Sequence, residues 1–369
     1  MRIYFDNNAT TPPHPDVLDV LGRALRDVFG NASSIHQEGQ TARRMIESAR
    51  ETVAASIGAT AKELVFTSGG TESNNAAIFG ALGHDLRCHI VTSAIEHPSA
   101  SEAVSALEAR GCGVTRVAPS RDGLIDADAV IAAMRPDTKL AVVMLANNET
   151  GVIQPVAAIG AACRERGIHL HCDAVQAFGK IAVDVNALGV DTLAISGHKM
   201  HAPKGIGALY VRQGTTLAPL LVGGAQERRR RAGTENVPLA AAFAAAVALP
   251  DASPQIAVMR ARFEARLLET LDVTINGATA PRLPNTSNVT FRNGDGEGLV
   301  IGLDLEGVAA STGSACSSGR IEPSPVLLAM GLSPAEARAT VRFSLSRFTT
   351  EAEVDRVVEY LVKIAARMG

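Results

Sequence analysis

HLHCDAVQAFGKIAVDVNALGVDTLAISGHKMHAPKGIGALYV, residues 169–211, is the stretch whose reading decides the fold. It contains three short apolar runs: HLHCD at 169–173, TLAIS at 192–196 and GALYV at 207–211. Upstream, ELVFT at 63–67, HIVTS at 89–93, VTRVA at 114–118 and LAVVMLA at 140–146 repeat the theme, with helical patterns between most of them. Strands that are apolar along their length, linked by helical crossovers, imply a mostly parallel sheet buried on both faces, an α/β fold. Ligands then gather at the carboxyl ends of the strands. After Pro250 the pattern changes to a helix near 255–271, strands near 272–275 and 287–292, and a long loop around 306–323, which reads as a second, α+β unit. In the final helix Thr350 stands three residues before Glu353, a capping box, and Val354, Val357, Val358, Leu361 and Ile364 follow at helical spacing.

The chain has 369 residues, more than the roughly 250–300 that one core organises, so two domains are expected. With 46% hydrophobic and 20% charged residues it is globular, not disordered or collagen-like. Lys plus Arg number 35 against 38 Asp plus Glu, so the net charge of −3 draws the chain toward neither nucleic acid nor anionic lipid. The longest apolar stretch, residues 237–249, contains Pro238 and falls short of the roughly 20 residues that span a bilayer. Asp6 follows directly on MRIYF, where a secretory signal needs an apolar run. Cys88, Cys112, Cys163, Cys172 and Cys316 are scattered without a C-x-x-C pair, which argues against a disulfide framework or zinc site and for a reducing cytoplasm.

Several segments carry chemistry. TSGGTESNN at 67–75 follows a strand and opens a helix with Ala76, Ala77 and Phe79 among its apolar positions. Its backbone N–H groups at Gly69, Gly70 and Thr71 suit a phosphate at the helix's positive end, and a tight turn capped by Thr71 is the equal alternative. Asp173 ends a strand with Gln176 three residues on; it reads either as partner of a protonated pyridine nitrogen or as a helix cap. His169 and His171 share a strand face but lack a third metal ligand. The chain has only six lysines, and two of them, Lys199 and Lys204, sit beside Ser196 and His198 in SGHKMHAPKGIGALYV at 196–211. A lysine in that company points to Schiff-base chemistry, and with a phosphate cradle and a carboxylate it describes a pyridoxal 5'-phosphate site. His97, after another strand, is placed to stack on the ring or else is structural. Cys316 lies in the Ser/Gly-rich run ASTGSACSSG at 310–319, with no apolar periodicity to bury it, and is the candidate nucleophile. The other four cysteines read as small hydrophobes. VRFSLSRF at 341–348 reads as a strand with Arg342 and Arg347 on opposite faces, one of them suited to a substrate carboxylate. RRRR at 228–231 reads as part of a polar loop at a subunit contact.

Together YFDNNATTPP at 4–13, TSGGTESNN, EHPS at 96–99, NNETG at 147–151, DAVQAFGK at 173–180, SGHKMHAPKGIGALYV, GTENV at 233–237, TGSACSSG at 312–319 and VRFSLSRFTT at 341–350 resemble the cysteine desulfurases of the NifS/IscS type, within the class V aminotransferases. The resemblance runs along nearly the whole chain, and around Cys316 it is to the group with a long cysteine loop. It implies the aspartate aminotransferase-like fold of pyridoxal phosphate-dependent transferases. A large cofactor-binding domain would comprise residues 14–250, with a seven-stranded sheet, and a small domain residues 1–13 and 251–369. Lys199 would hold the cofactor, Asp173 pair with its ring nitrogen, His97 stack on the ring, and Gln176 bond the phenolic oxygen with Asn148 beside it. Gly70, Thr71, Ser196 and His198 would hold the phosphate, joined by Thr234 from the second subunit of a homodimer. Asn148 and Arg342 would bind the substrate carboxylate, and Cys316 would accept sulfur as L-cysteine becomes L-alanine. A sulfur-acceptor or iron-sulfur scaffold protein would follow. Selenocysteine lyase activity and a catalytically idle sulfur-delivery scaffold are the alternatives. Ala202, Ala225, Arg229 and Ala232 depart from the family pattern, which has Gly, Gly, Gly and Ser there, and the longer tail that some relatives use to dock a scaffold is absent after the last helix.

Overall fold

The computed structural model describes residues 2–83, 87–292, 294–312 and 322–368. Its strands are β1 (Ile3–Tyr4), β2 (Leu64–Thr67), β3 (His89–Ser93), β4 (Gly113–Val117), β5 (Thr138–Val142), β6 (His169–Asp173), β7 (Thr192–Ser196), β8 (Gly207–Val211), β9 (Val273–Ile275), β10 (Thr286–Phe291), β11 (Val308–Ala309) and β12 (Thr340–Ser344). Seven of them form one sheet in the order β2-β8-β7-β6-β5-β3-β4. From β7 to β4 every neighbouring pair is parallel, and β8 runs antiparallel to both β7 and β2, which makes the sheet mostly parallel as expected.

Burial explains why these runs are strands. Every residue of β2, β3, β7 and β8 is buried, and so is β6 apart from His169. The helix Gly70–Leu82 packs across β5, β6, β7 and β8. Because β8 returns between β2 and β7, Gly207 pairs with both Thr67 and Ser196. A Cβ there would meet the Cα of Gly69 and the carbonyl of Ile195, each at 2.7 Å, so only glycine lets the turn after β2 close over the sheet.

A three-stranded antiparallel sheet, β12-β10-β9, and the parallel pair β1-β11 frame a second core. Ile3 and Phe5 pack there with residues from Met259 to Ile364, and the Phe263 ring meets Phe5 at 5.9 Å and Phe343 at 4.9 Å. Leu283, Val326, Leu327, Met330 and Leu332 join the larger core instead. The capping box of the last helix is formed: Thr350 N–H donates to Glu353 Oε2 at 2.9 Å and Glu353 N–H returns to Thr350 Oγ1 at 3.3 Å. No helix among the described residues is long and apolar enough to cross a membrane.

Two strand expectations need correction. The run at 140–146 pairs only as Thr138–Val142, because the chain then leaves the sheet and Met144 N–H binds Glu96 Oε1 at 3.0 Å. The run at 341–348 stops at Ser344, since Ser346 N–H turns onto Thr349 Oγ1 at 3.0 Å. Arg347 therefore lies beyond the strand, donating to the Pro250 carbonyl at 2.9 Å, and the parity argument that paired it with Arg342 does not reach it.

The run at 228–231 is tied down by a neighbour that the sequence reading passed over. Glu227, Arg228 and Arg229 have φ of 44°, 55° and 65°, a region that β-carbon-bearing residues avoid. What holds them is buried: Arg50 Nη1 and Nη2 donate to Glu227 Oε2 and Oε1 at 2.6 and 2.9 Å, and Phe66 N–H adds a bond to Oε2 at 3.2 Å. Removing one partner leaves an uncompensated buried charge. Glu227→Ala should therefore lower unfolding free energy by ~3–5 kcal/mol in chemical denaturation, and Arg50→Ala should do the same. A loss under 1 kcal/mol in both would contradict this role.

Candidate active site

Four of the expected residues stand at strand carboxyl ends or just past them. Asp173 closes β6, Ser196 closes β7 with Lys199 three residues on, and His97 follows β3. Asp173 is buried, and each carboxylate oxygen takes one bond with acceptor capacity left over: Oδ1 accepts Val175 N–H at 2.9 Å and Oδ2 accepts Asn74 Nδ2–H at 2.7 Å. The first bond closes a turn, so the helix-cap alternative for Asp173 does not hold. His97 caps the helix Pro98–Glu108, its Nδ1 accepting Ser99 N–H at 3.1 Å with Ser99 Oγ at 2.8 Å. Burial lowers its pKa, Asp173 pulls the other way and Lys199 lowers it further.

Lys199 Nζ donates to the carbonyls of Asn8 and Ala9, the latter at 2.8 Å. Burial first, then the charge of Arg342, brings its pKa down to about 8. Burial and the Lys199 charge push His198 down to about 4, with Nδ1 lying 3.2 Å from Thr10 Oγ1.

The anion cradle lies where β2 meets the helix Gly70–Leu82. The cap is Gly69, with no side-chain bond, and Thr71 is an exposed first-turn residue, so the Thr71-cap alternative fails. Glu72 takes that part instead, accepting Ser68 N–H at 2.9 Å. N–H groups of the first turn have no intrahelical partners. A Cβ on Gly70 would sit 2.7 Å from Val175 Cγ2 and 3.7 Å from Ser196 Cβ, so the packed Val175 side chain leaves no room for one here. Ser196 Oγ is buried beside it without a hydrogen-bond partner.

Arg342 reaches the site from β12. Its Nη2 donates to Asp6 Oδ1 at 2.8 Å and its Nη1 to the Asn148 carbonyl at 3.1 Å, while Nε is buried and unpaired. Asn148 is half-buried. Gln176 gives Nε2–H to the Asn8 carbonyl at 2.9 Å and takes Lys180 Nζ–H on Oε1 at 2.7 Å. Thr234 is exposed and makes no contact with these groups that the hydrogen bonds reveal. Cys316 lies outside the described residues. The remaining cysteines are buried, and burial drives Cys163 up to about 12 and Cys172 well above the ordinary thiol value, as suits inert hydrophobes.

A family model for aminotransferase class-V matches residues 3–357. The chain belongs to the class V aminotransferase family. A cysteine desulfurase of a Nostoc species is 46% identical over 99% of this chain and 93% of its own. A solved NifS-like protein superposes with a TM-score of 0.90 at 33% identity over the full length of both chains, and a solved SspA in complex with cysteine gives 0.86 at 38% identity over 95% of this chain and 100% of its own. The family is one of pyridoxal phosphate-dependent enzymes, and the cysteine desulfurase resemblance holds along the whole chain.

Within this class V site, several residues escaped the sequence reading. Asn8 is a hub: its N–H goes to Ser344 Oγ at 2.8 Å, its Nδ2 to the Asn148 carbonyl at 3.1 Å and to Thr286 Oγ1 at 2.9 Å. Glu96 is buried under His97, and desolvation pushes its carboxyl up to about 8. Asn74, one helical turn after Gly70, stands within TSGGTESNN, but nothing in that run marks it from its neighbours. The buried face it shares is Ser73, Asn74, Ala77 and Ile78, whereas Ala76 and Phe79 are only half-buried. Of the departures, Ala202 is buried against Gly197, whose missing Cβ would stand 3.0 Å from its methyl, and Ala232 faces Gly223, whose Cβ would come to 2.9 Å.

In the cofactor-free protein, Lys199 should gain free amine as pH rises through 8, well before an ordinary lysine at 10.5. Peptide mass spectrometry of carbonyl-reagent modification between pH 6 and 10 checks this; a midpoint at Lys199 above 10 contradicts the site electrostatics.

Proposed function

We propose that the chain is a cysteine desulfurase that converts L-cysteine to L-alanine and passes the sulfur to Cys316. The observation that carries this reading is the meeting of Lys199, Asp173 and His97 beside an anion cradle in which Ser196 Oγ is buried and unpaired. These groups fit pyridoxal 5'-phosphate: Gly70, Thr71, Ser196 and His198 for the phosphate, Asp173 for the ring nitrogen, Gln176 with Asn148 beside it for the phenolic oxygen, His97 over the ring and Lys199 for the carbonyl carbon. Bound there, the cofactor supplies an electron sink for the substrate Cα.

The chain's own residues do the rest. Lys199, whose amine is partly free near pH 8, takes the Cα proton and is steered by the Asn8 and Ala9 carbonyls. Arg342 holds the substrate carboxylate with Asn148 alongside, and its unpaired Nε marks the free edge of the guanidinium. Cys316, as thiolate, attacks the substrate sulfur; the Cβ–S bond breaks, its electron pair stays with the carbon side, and a proton at Cβ together with the return of a proton to Cα completes alanine. The product on the protein is a persulfide, ready for a thiol or iron-sulfur scaffold acceptor.

Thr234 joins the phosphate site from a second copy in a homodimer, which fits its exposure here and that of Val222 on the same loop, 86% exposed. Four buried cysteines that form no disulfide among the described residues fit a reducing cytoplasm. The full complement of catalytic groups speaks against an idle scaffold, and the named relatives give selenocysteine lyase no preference.

Cys316→Ala should keep the cofactor's visible band and its response to L-cysteine but release almost no alanine, and wild type given cysteine without reductant should gain one sulfur in mass on the Cys316 peptide. Added sulfur on Cys88, Cys112, Cys163 or Cys172 instead would sink the assignment.

Arg342→Ala removes the charge-assisted contact to the substrate carboxylate together with the bonds to Asp6 and the Asn148 carbonyl, so KM for L-cysteine should rise ~10–100-fold with the visible band intact. Unchanged saturation would move the carboxylate site elsewhere.

A further inference from the structure

Asn74 is fully buried and absorbs no part of the chemistry above, yet it touches Asp173 directly and reaches His97 through Ser99. Its Nδ2 donates one hydrogen to Asp173 Oδ2 at 2.7 Å and lies 2.8 Å from Ser99 Oγ, while its Oδ1 lies 3.0 Å from His171 Nε2. The directions of these bonds follow from what each atom can do. A carboxylate only accepts, so Nδ2 faces Asp173 and its second hydrogen faces Ser99. Ser99 Oγ, accepting from Asn74, gives its own hydrogen to His97 Nδ1 at 2.8 Å, where Ser99 N–H already points. His97 therefore carries its ring proton on Nε2. On the other side Oδ1 needs a donor, so His171 holds its proton on Nε2 and accepts Thr192 Oγ1–H on Nδ1 at 3.0 Å. Thr192 Oγ1, with its hydrogen spent, accepts from His169 Nε2 at 3.0 Å.

The chain of bonds thus runs one way, from His169 through Thr192, His171 and Asn74, and forks to Asp173 and to Ser99–His97. We propose that Asn74 is a positioning residue whose amide orients Asp173 and, through Ser99, His97, with His171 fixing which way that amide points. This rests on the pyridoxal phosphate reading of the site, because Asp173 and His97 are its ring partners. An amide suits the position: a carboxylate would face Asp173 with like charge, and a methyl would leave Asp173 Oδ2 and His171 Nε2 short of a partner in the interior.

Two measurements test it, one without the cofactor. In cofactor-free protein with 15N-labelled histidine, the His171 ring shifts should show the proton on Nε2 in wild type and a mixture of tautomers in Asn74→Ala. A wild-type proton on Nδ1 reverses the amide and overturns the proposal. In the loaded enzyme, Asn74→Ala and Asn74→Asp should shift the pH midpoint of the visible band by about one unit or more, since the amide is a hydrogen-bond donor to Asp173, whose charge also acts on His97, Lys199, Glu96 and Cys172. Alanine release should fall ~10–100-fold in kcat, the scale of lost outer-sphere partners, with KM for L-cysteine changed less than about threefold because Arg342 is untouched. A lowered melting temperature with unmoved midpoint and kcat makes Asn74 merely structural and overturns it. If Asn74→Ala fails to fold, His171→Leu, which frees the amide to turn, should shift the same midpoint, and His171→Gln, which still donates, should restore it; equality of both with wild type again overturns the proposal. A wild type that takes up no pyridoxal phosphate defeats the site reading instead, and the histidine shifts still decide the amide's direction.

Discussion

A sheet buried on both faces offers a polar side chain no exit except at the ends of its strands. That constraint shapes everything in this molecule. Asp173, Ser196 and the segments carrying His97 and Lys199 come together because β3, β6 and β7 are buried along nearly all their length and present these groups where the pairing stops. The antiparallel β8 then adds its own demand, a residue without a side chain at 207, so that the turn after β2 can descend onto the same edge. One edge of one sheet therefore holds a cradle for an anion, a buried carboxylate and a lysine, and no long loop is needed to gather them.

Much of this was legible in the sequence, and what escaped has a common cause. β3, β6, β7 and β8 fall where their apolar runs do, because burial on both faces leaves a continuous signal. The run at 140–146 misled for the same reason: Met144 and Leu145 are apolar and buried but lie outside the ladder, where Met144 N–H serves Glu96. Arg347 misled because alternation was extended past the turn at Ser346. In the site, residues expected from their chemistry were visible, whereas Asn8, Asn74 and Glu96 were not, since their importance lies in partners 96 or more positions away for Asn8 and Asn74, such as Asn148, Ser344, His171 and Asp173. Pattern reading finds what a residue type can do; it does not find whom it faces.

The N-terminal segment shows how the two sheets share one site. Asn8 ties Ser344 and Thr286, from the three-stranded sheet, to Gln176 and Lys199, from the large one, through its own N–H, amide and carbonyl. Asp6 does the same for Arg342. Ten residues at the start of the chain thus act as a hinge plate between surfaces that no other strand joins directly among the described residues, since the two sheets have no strand in common.

Histidine is the side chain that ordinarily makes a protein respond to acid near neutrality, and here burial has silenced it: His171 lies near 3, His198 and His201 near 4, and His97 below its usual value. The groups brought to the edge of neutrality are an amine and a carboxyl, Lys199 and Glu96, both near 8. The usual order of titration is inverted, with imidazoles inert and a carboxylic acid still holding its proton when they have long lost theirs. Acidification from pH 7 to 5 consequently leaves His171, His198 and His201 uncharged, while an alkaline step of the same size changes the charge of both Lys199 and Glu96.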